Sequence, residues 1–206
     1  MLLIVLRSPL KKLVIFASGS GSNAQQIAQY IVGNQHIELS LILTNNPAAG
    51  VIDRARRGFD CGLNVPVLIF DRPTFYQTDR IVRLLKAQQI DLIVLAGFMW
   101  LVPPALVKAF SGQIINIHPA LLPKFGGKGM YGHHIHEAVV AAGETETGIT
   151  IHFVNEHYDE GAVIFQAACP VEPTDTPDDV AQKIHALEYA HYPRVVVEVL
   201  DGLIGQ

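Results

Sequence analysis

Six short apolar runs rich in β-branched residues punctuate the chain, at 13–17, 37–43, 67–70, 92–96, 114–117 and 149–154. In 13–17, 67–70 and 92–96 the apolar residues are successive rather than alternating, which marks strands buried on both faces of a sheet. Helical patterns lie between them. Ser22 and Asn23 precede an amphipathic stretch over 24–32 that Gly33 closes, and Pro73 and Thr74 open another whose Ile81, Leu84 and Leu85 share a face. Strands alternating with helices predict βαβ units with right-handed crossovers. After Ile117 the pattern changes to a Pro- and Gly-rich loop over 119–132, a helix near 135–142, the strand 149–154, a polar loop, a strand at 162–168 and a last helix from about Pro177. The strand at 162–168 is expected to run antiparallel at the edge. The fold class read from this pattern is α/β, a Rossmann-like open, mostly parallel sheet with helices on both faces and an antiparallel edge strand. With no repeat or linker-like stretch, the 206 residues read as a single domain, its N-terminal half binding phosphate and its C-terminal half carrying the loops of a second ligand.

Composition narrows the classes of partner. Half the residues are hydrophobic, 17% are charged and the formal net charge is −4. No basic run exceeds the pair Lys11 and Lys12, so a broad nucleic-acid footprint is missing and any anion site must be local. Cys61 and Cys169 stand far apart and outside any CxxC pattern, as expected of thiols in a reducing compartment. The apolar start Met1, Leu2, Leu3, Ile4, Val5 and Leu6 is short for a signal segment and is followed by Arg7 and Pro9. No apolar run approaches the roughly 20 residues that span a bilayer. A soluble cytoplasmic protein with neither nucleic-acid nor membrane partner is the expectation.

Gly19, Ser20, Gly21, Ser22, Asn23 and Ala24 follow the first strand and open the first helix. Unpaired backbone N–H groups and the positive end of the helix dipole favour a phosphate at such a position. The spacing also satisfies the loose dinucleotide fingerprint, but the second strand ends Leu43, Thr44, Asn45 without the acid that would hold a ribose hydroxyl. A single phosphate ester at Gly21, Ser22 and Asn23 therefore gains over a dinucleotide. A tight turn with no ligand is the competing reading.

Asn116 and His118 stand two apart at the end of the run 114–117 and precede Pro119. Residues i and i+2 of a strand face the same way, so an amide and an imidazole can address one reacting centre. In an open parallel sheet that strand end is where ligands bind. A core histidine tied to a carbonyl is the plain alternative. Asp159, in the loop between the last two strands, reads alone as a solvated turn residue. His133, His134 and His136 raise a metal reading, but the tract lacks a Cys or acidic partner set at familiar zinc spacing, and no metal is expected.

Taken in order, residues 17–23, then Leu95, Ala96, Gly97, Phe98 and Met99, then 115–124, and finally Asp159 before Glu160 and Gly161, closely resemble the phosphoribosylglycinamide formyltransferase family. The resemblance runs from about Leu13 to the end and leaves about twelve residues, 1–12, as an N-terminal extension. It implies a folate-dependent formyltransferase of purine biosynthesis that takes 10-formyltetrahydrofolate as co-substrate and phosphoribosylglycinamide as acceptor, with a homodimer left open. It further implies that Gly21, Ser22 and Asn23 bind the ribosyl phosphate and that Glu188 contacts the same substrate. Met99, Trp100, Leu101 and Val102 would wall the folate pterin together with Asn116. Arg72 would contact the folate, across a small alignment gap, and Asn116, His118 and Asp159 would be catalytic. Two departures stand out: Trp100 lies where many relatives carry Arg, and 125–131 is longer and richer in glycine than the shortest relatives.

In the chemistry this implies, the acceptor amine, with an ordinary pKa of about 8, sheds a proton and attacks the formyl carbon. Asn116 and protonated His118 would donate to the resulting oxyanion, and Asp159 would favour the charged imidazole and help relay a proton to the leaving folate nitrogen. A formyltetrahydrofolate hydrolase, a transferase acting on methionyl-tRNA, and a non-enzymatic nucleotide-binding module remain as alternatives.

Overall fold

The computed structural model describes residues 10–202. One seven-stranded sheet organises them: β1 (Lys11–Phe16), β2 (Ile37–Thr44), β3 (Val67–Ile69), β4 (Leu92–Leu95), β5 (Ile114–His118), β6 (Glu146–Phe153) and β7 (Val163–Pro170). Their order across the sheet is β3-β2-β1-β4-β5-β6-β7. The first five strands pair in parallel, in keeping with the successive apolar residues of 13–17, 67–70 and 92–96. β7 is the edge strand expected to pair antiparallel, and it does. β6 also pairs antiparallel with β5, so the direction reverses one strand earlier, at β6.

Leu13 and Ile15 of β1 face one core cluster, while Val14 and Phe16 face the other. Helices α1 (Ser22–Ile31), α2 (Gly50–Arg56), α6 (His133–Ala141) and α7 (Pro177–Leu200) contribute to the first. The second takes Phe75 of α3 (Arg72–Gln77), Ile81 and Leu85 of α4 (Arg80–Ala87) and Leu106 of α5 (Pro104–Ala109). Both faces are thus covered.

Three details differ from the sequence reading. β1 begins at Lys11, so Lys11 and Lys12 are strand rather than the end of an extension. Asp91 Oδ2 accepts from the Lys12 N–H at 2.8 Å, and the pairing with β2 starts at Lys11. Residues 1–9 of that extension lie outside the described residues. The stretch opened by Pro73 and Thr74 is two helices, because Thr78 leaves the helical region at φ −133° and ψ 163°. Helices α2 and α5 had no counterpart in the pattern, being only 7 and 6 residues long.

Candidate active site

Between β1 and β4 the chain's winding reverses, and at such a switch point the loops leaving the carboxyl ends of neighbouring strands part to form a crevice. The loop after β1, the segment 97–102 after β4 and the end of β5 line one cleft of about 570 Å³ here. Loop 127–132, His152, Asp159 and Glu188 close its other sides.

The glycine loop meets the expected geometry. Gly21 adopts φ 76°, and a Cβ there would lie 2.5 Å from Val51 Cβ, so only glycine lets α1 begin against α2. The first intrahelical bond runs from Gln25 N to Gly21 O, leaving the N–H groups of Ser22, Asn23 and Ala24 without an intrahelical partner, and Ser22 and Asn23 line the cleft. Asn23 Nδ2 donates to Glu188 Oε2 at 3.0 Å, which fastens the loop to α7. His185 Nδ1 bonds the same oxygen at 3.0 Å, and this bond raises the His185 imidazole above its ordinary value.

Asn116, His118 and Asp159 are brought together across 43 residues of chain. Asp159 Oδ2 lies 3.5 Å from His118 Nδ1 and accepts the Gly127 N–H at 2.9 Å. Asp159 itself sits at φ 56°, a left-handed conformation that Asp tolerates better than most residues and that clusters at functional sites. His118 Nε2 donates to the Phe125 carbonyl oxygen at 2.8 Å. Acceptors therefore flank both ring nitrogens.

His152 completes the group and had not been singled out in the sequence. The antiparallel register sets it directly opposite Asn116, and Thr150 opposite His118. Asn116 Nδ2 lies 3.2 Å from His152 Nε2, and His152 Nδ1 lies 2.9 Å from the Phe153 carbonyl oxygen. The Phe153 carbonyl oxygen accepts the Nδ1–H, and Nε2 faces both the Asn116 amide nitrogen, from which it accepts, and Asp159 Oδ1 at 3.7 Å. Burial holds the ring below its ordinary value, with the Phe153 carbonyl and the Asp159 carboxylate opposing. One Asn116 N–H is consumed in this bond, leaving the other for a ligand. The available signal was two polar residues, Thr150 and His152, on one face of an apolar strand. Thr150 Oγ1 accepts from Leu122 N at 3.0 Å and donates to Ala120 O at 2.7 Å, fixing the chain beyond His118.

The segment 99–102 lines the cleft as one wall. Met99 N donates to Ser18 Oγ at 3.0 Å, and Tyr76 Oη donates to Leu101 O at 2.9 Å. Trp100 packs among Phe70, Phe75, Tyr76 and Phe98, with ring centroids 5.9–6.4 Å away. Arg72 does not line this cleft. Its guanidinium stacks 5.6 Å over Trp100 and 5.2 Å over Tyr76, in a groove that shares only Trp100 with the cleft. No group of three or more His, Cys, Asp or Glu residues with metal-binding geometry occurs among the described residues, and no described helix is long and apolar enough to cross a membrane.

A family model described as formyl transferase matches residues 11–196. The chain is 40% identical over 200 residues to the chloroplastic phosphoribosylglycinamide formyltransferase of Arabidopsis thaliana, covering 94% of this chain and 67% of that protein. It is 36% identical over 197 residues to phosphoribosylglycinamide formyltransferase of Bacillus subtilis, covering 93% and 95%. The solved structure of phosphoribosylglycinamide formyltransferase from Bacillus halodurans superposes with a TM-score of 0.80 at 39% identity, over 92% of this chain and 95% of that one. The chain thus spans about two thirds of the plant relative and nearly all of the bacterial ones.

Proposed function

Because the chain belongs to the formyl transferase family, we propose that it moves the formyl group of 10-formyltetrahydrofolate to the amine of phosphoribosylglycinamide. One observation carries this reading: an amide, an imidazole and a carboxylate converge in a cleft whose far side is a helix N-terminus suited to a phosphate.

The ribosyl phosphate lies at the N–H groups of Ser22 and Asn23, beside Glu188, and the pterin lies along 99–102 with its formyl group toward Asn116. The amine attacks the formyl carbon, and the tetrahedral oxygen takes the free Asn116 N–H and the His118 Nε2–H, which gives up the Phe125 carbonyl to reach it. Removing one such donor typically costs about 2.7–4 kcal/mol. The bond to the folate nitrogen then breaks, and the proton lost by the amine passes to that nitrogen by way of His118, Asp159 and water. Asp159 offsets charge on the ring as the proton moves. No covalent enzyme intermediate is needed. Holding both substrates in one cleft supplies a further share of the acceleration, up to about 7–11 kcal/mol in favourable geometry. Arg72 meets the folate tail where it leaves the cleft past Trp100. The setting is the cytoplasm.

Mixing the protein with formyl folate, with and without phosphoribosylglycinamide, tests the reading. Donor loss that depends on the acceptor is expected. Loss without acceptor would make the protein a hydrolase, and no loss would remove the enzymatic reading.

A further inference from the structure

The chemistry above leaves one buried histidine of the cleft unused. His136 of α6 is 5% exposed and lines the cleft, and its Nδ1 has no hydrogen-bond partner among the described residues. Asn23 Oδ1, from the glycine loop on the same cleft, is also buried and unpaired. A buried polar atom without a partner costs about 1–3 kcal/mol, so two of them on residues that line one cleft mark a place prepared for a polar ligand.

The surroundings indicate which end of a ligand. His133, on the same helix, has its ring centroid 6.2 Å from that of His136. His185 and Glu188 of α7 act on the ring by charge, and Glu188 is the residue bonded to Asn23. His136 therefore shares the glycine-loop side of the cleft rather than the folate wall. Burial first, then the two neighbouring histidines, holds its imidazole below the ordinary value, with Glu188 opposing, so the ring is neutral and offers one N–H donor. Cationic side chains are scarce there: Lys128 is the one Lys or Arg among the described residues lining the cleft.

We infer that His136 is a binding residue for the phosphoribosyl part of the acceptor, its imidazole donating to an oxygen of a ribose 5-phosphate ester. The inference rests on the formyl-transfer reading for the identity of that ester, but it is tested separately.

Calorimetric titration of the unmodified protein, His136→Ala and His136→Gln with phosphoribosylglycinamide and with ribose 5-phosphate reads it directly. The alanine variant is expected to weaken both ligands by the same factor, about tenfold, the share of one hydrogen bond. The KM for formyl folate stays unchanged, and glutamine, which keeps an N–H donor, restores part of the loss. Equal affinity in all three proteins would overturn the inference. So would a loss shared equally by both substrates together with a lower melting temperature, which marks a structural role. The ¹⁵N signal of the His136 ring gives a reading without any variant: it shifts on addition of ribose 5-phosphate, and a ring signal that ignores the ligand overturns the assignment. If the unmodified protein transfers formyl but His136→Ala binds acceptor normally, only this inference fails. If it binds ribose 5-phosphate through His136 but transfers nothing, only the formyl-transfer reading fails.

Discussion

Single side chains decide the chemistry, and the least conspicuous of them is His152. It lies 3.7 Å from Asp159 Oδ1 and holds the Asn116 amide with its second N–H free for the developing oxyanion. His152→Ala is expected to lower kcat about 10²-fold, the cost of a donor displaced by roughly an ångström, while the affinity for phosphoribosylglycinamide stays within a factor of about two. Steady-state kinetics and a binding isotherm check this, and an unchanged kcat would remove its positioning role. Asn116 and His118 were legible in the sequence because a strand end two residues wide projects both side chains one way. Asp159 became legible only through its resemblance to a known family, since nothing local separates it from a solvated turn residue. His152 was hidden because its meaning depends on an antiparallel register, and the Phe125 carbonyl because a main-chain acceptor leaves no mark on side-chain identity. Arg72 was chosen by alignment, and its guanidinium lies on the far side of Trp100, stacked on the indole rather than in the cleft.

Elements position these side chains, and their ends are the sensitive points. Helix α1 starts in a left-handed residue pressed against Val51, so Gly21→Ala meets both a backbone penalty of about 1–2 kcal/mol and a collision with β-branched bulk. Its melting temperature is expected to fall by at least about 2–4 °C and its phosphate affinity to drop, as differential scanning calorimetry and titration with ribose 5-phosphate would show. Wild-type values for both would mean that the loop is less constrained than described. Helix α7, which carries Glu188, begins in a capping box where Thr176 and Asp179 satisfy each other's N–H groups. Removing it with Thr176→Ala is expected to cost about 0.5–2 kcal/mol in denaturant unfolding without altering kcat, and a change in kcat alone would contradict this. Strands and capped helices were readable because apolar runs and terminal residues are local signals. Helices α2 and α5 offer fewer than two full turns of pattern, although Pro104 at the first position of α5 was a readable start signal.

At the scale of the whole molecule, one switch point in the sheet gathers the glycine loop, the segment 99–102 and the Asn116, His118 and Asp159 group into a single cleft, and the buried histidines there tie stability to pH. Burial keeps His136 and His152 below their ordinary value of 6.5, so between the folded and unfolded values the unfolded chain binds more protons. Their contribution is present above about pH 6.5 and is lost as the pH falls through the folded values. His185, raised by its bond to Glu188, works in the opposite sense: its contribution is present below about 6.5 and lost as the pH rises. That ring is half exposed, so solvent screening weakens its share. The melting temperature is therefore expected to decline from pH 7 to pH 5, with a shallower decline in His136→Gln, and an identical slope in that variant would contradict the assignment. The most direct measurement of the central claim is turnover of Asp159→Asn with both substrates saturating, alongside its affinity for phosphoribosylglycinamide. The account predicts a loss of at least about 10²-fold in kcat with acceptor binding preserved. Near-normal turnover in that variant would mean that the carboxylate beside His118 takes no part in the reaction.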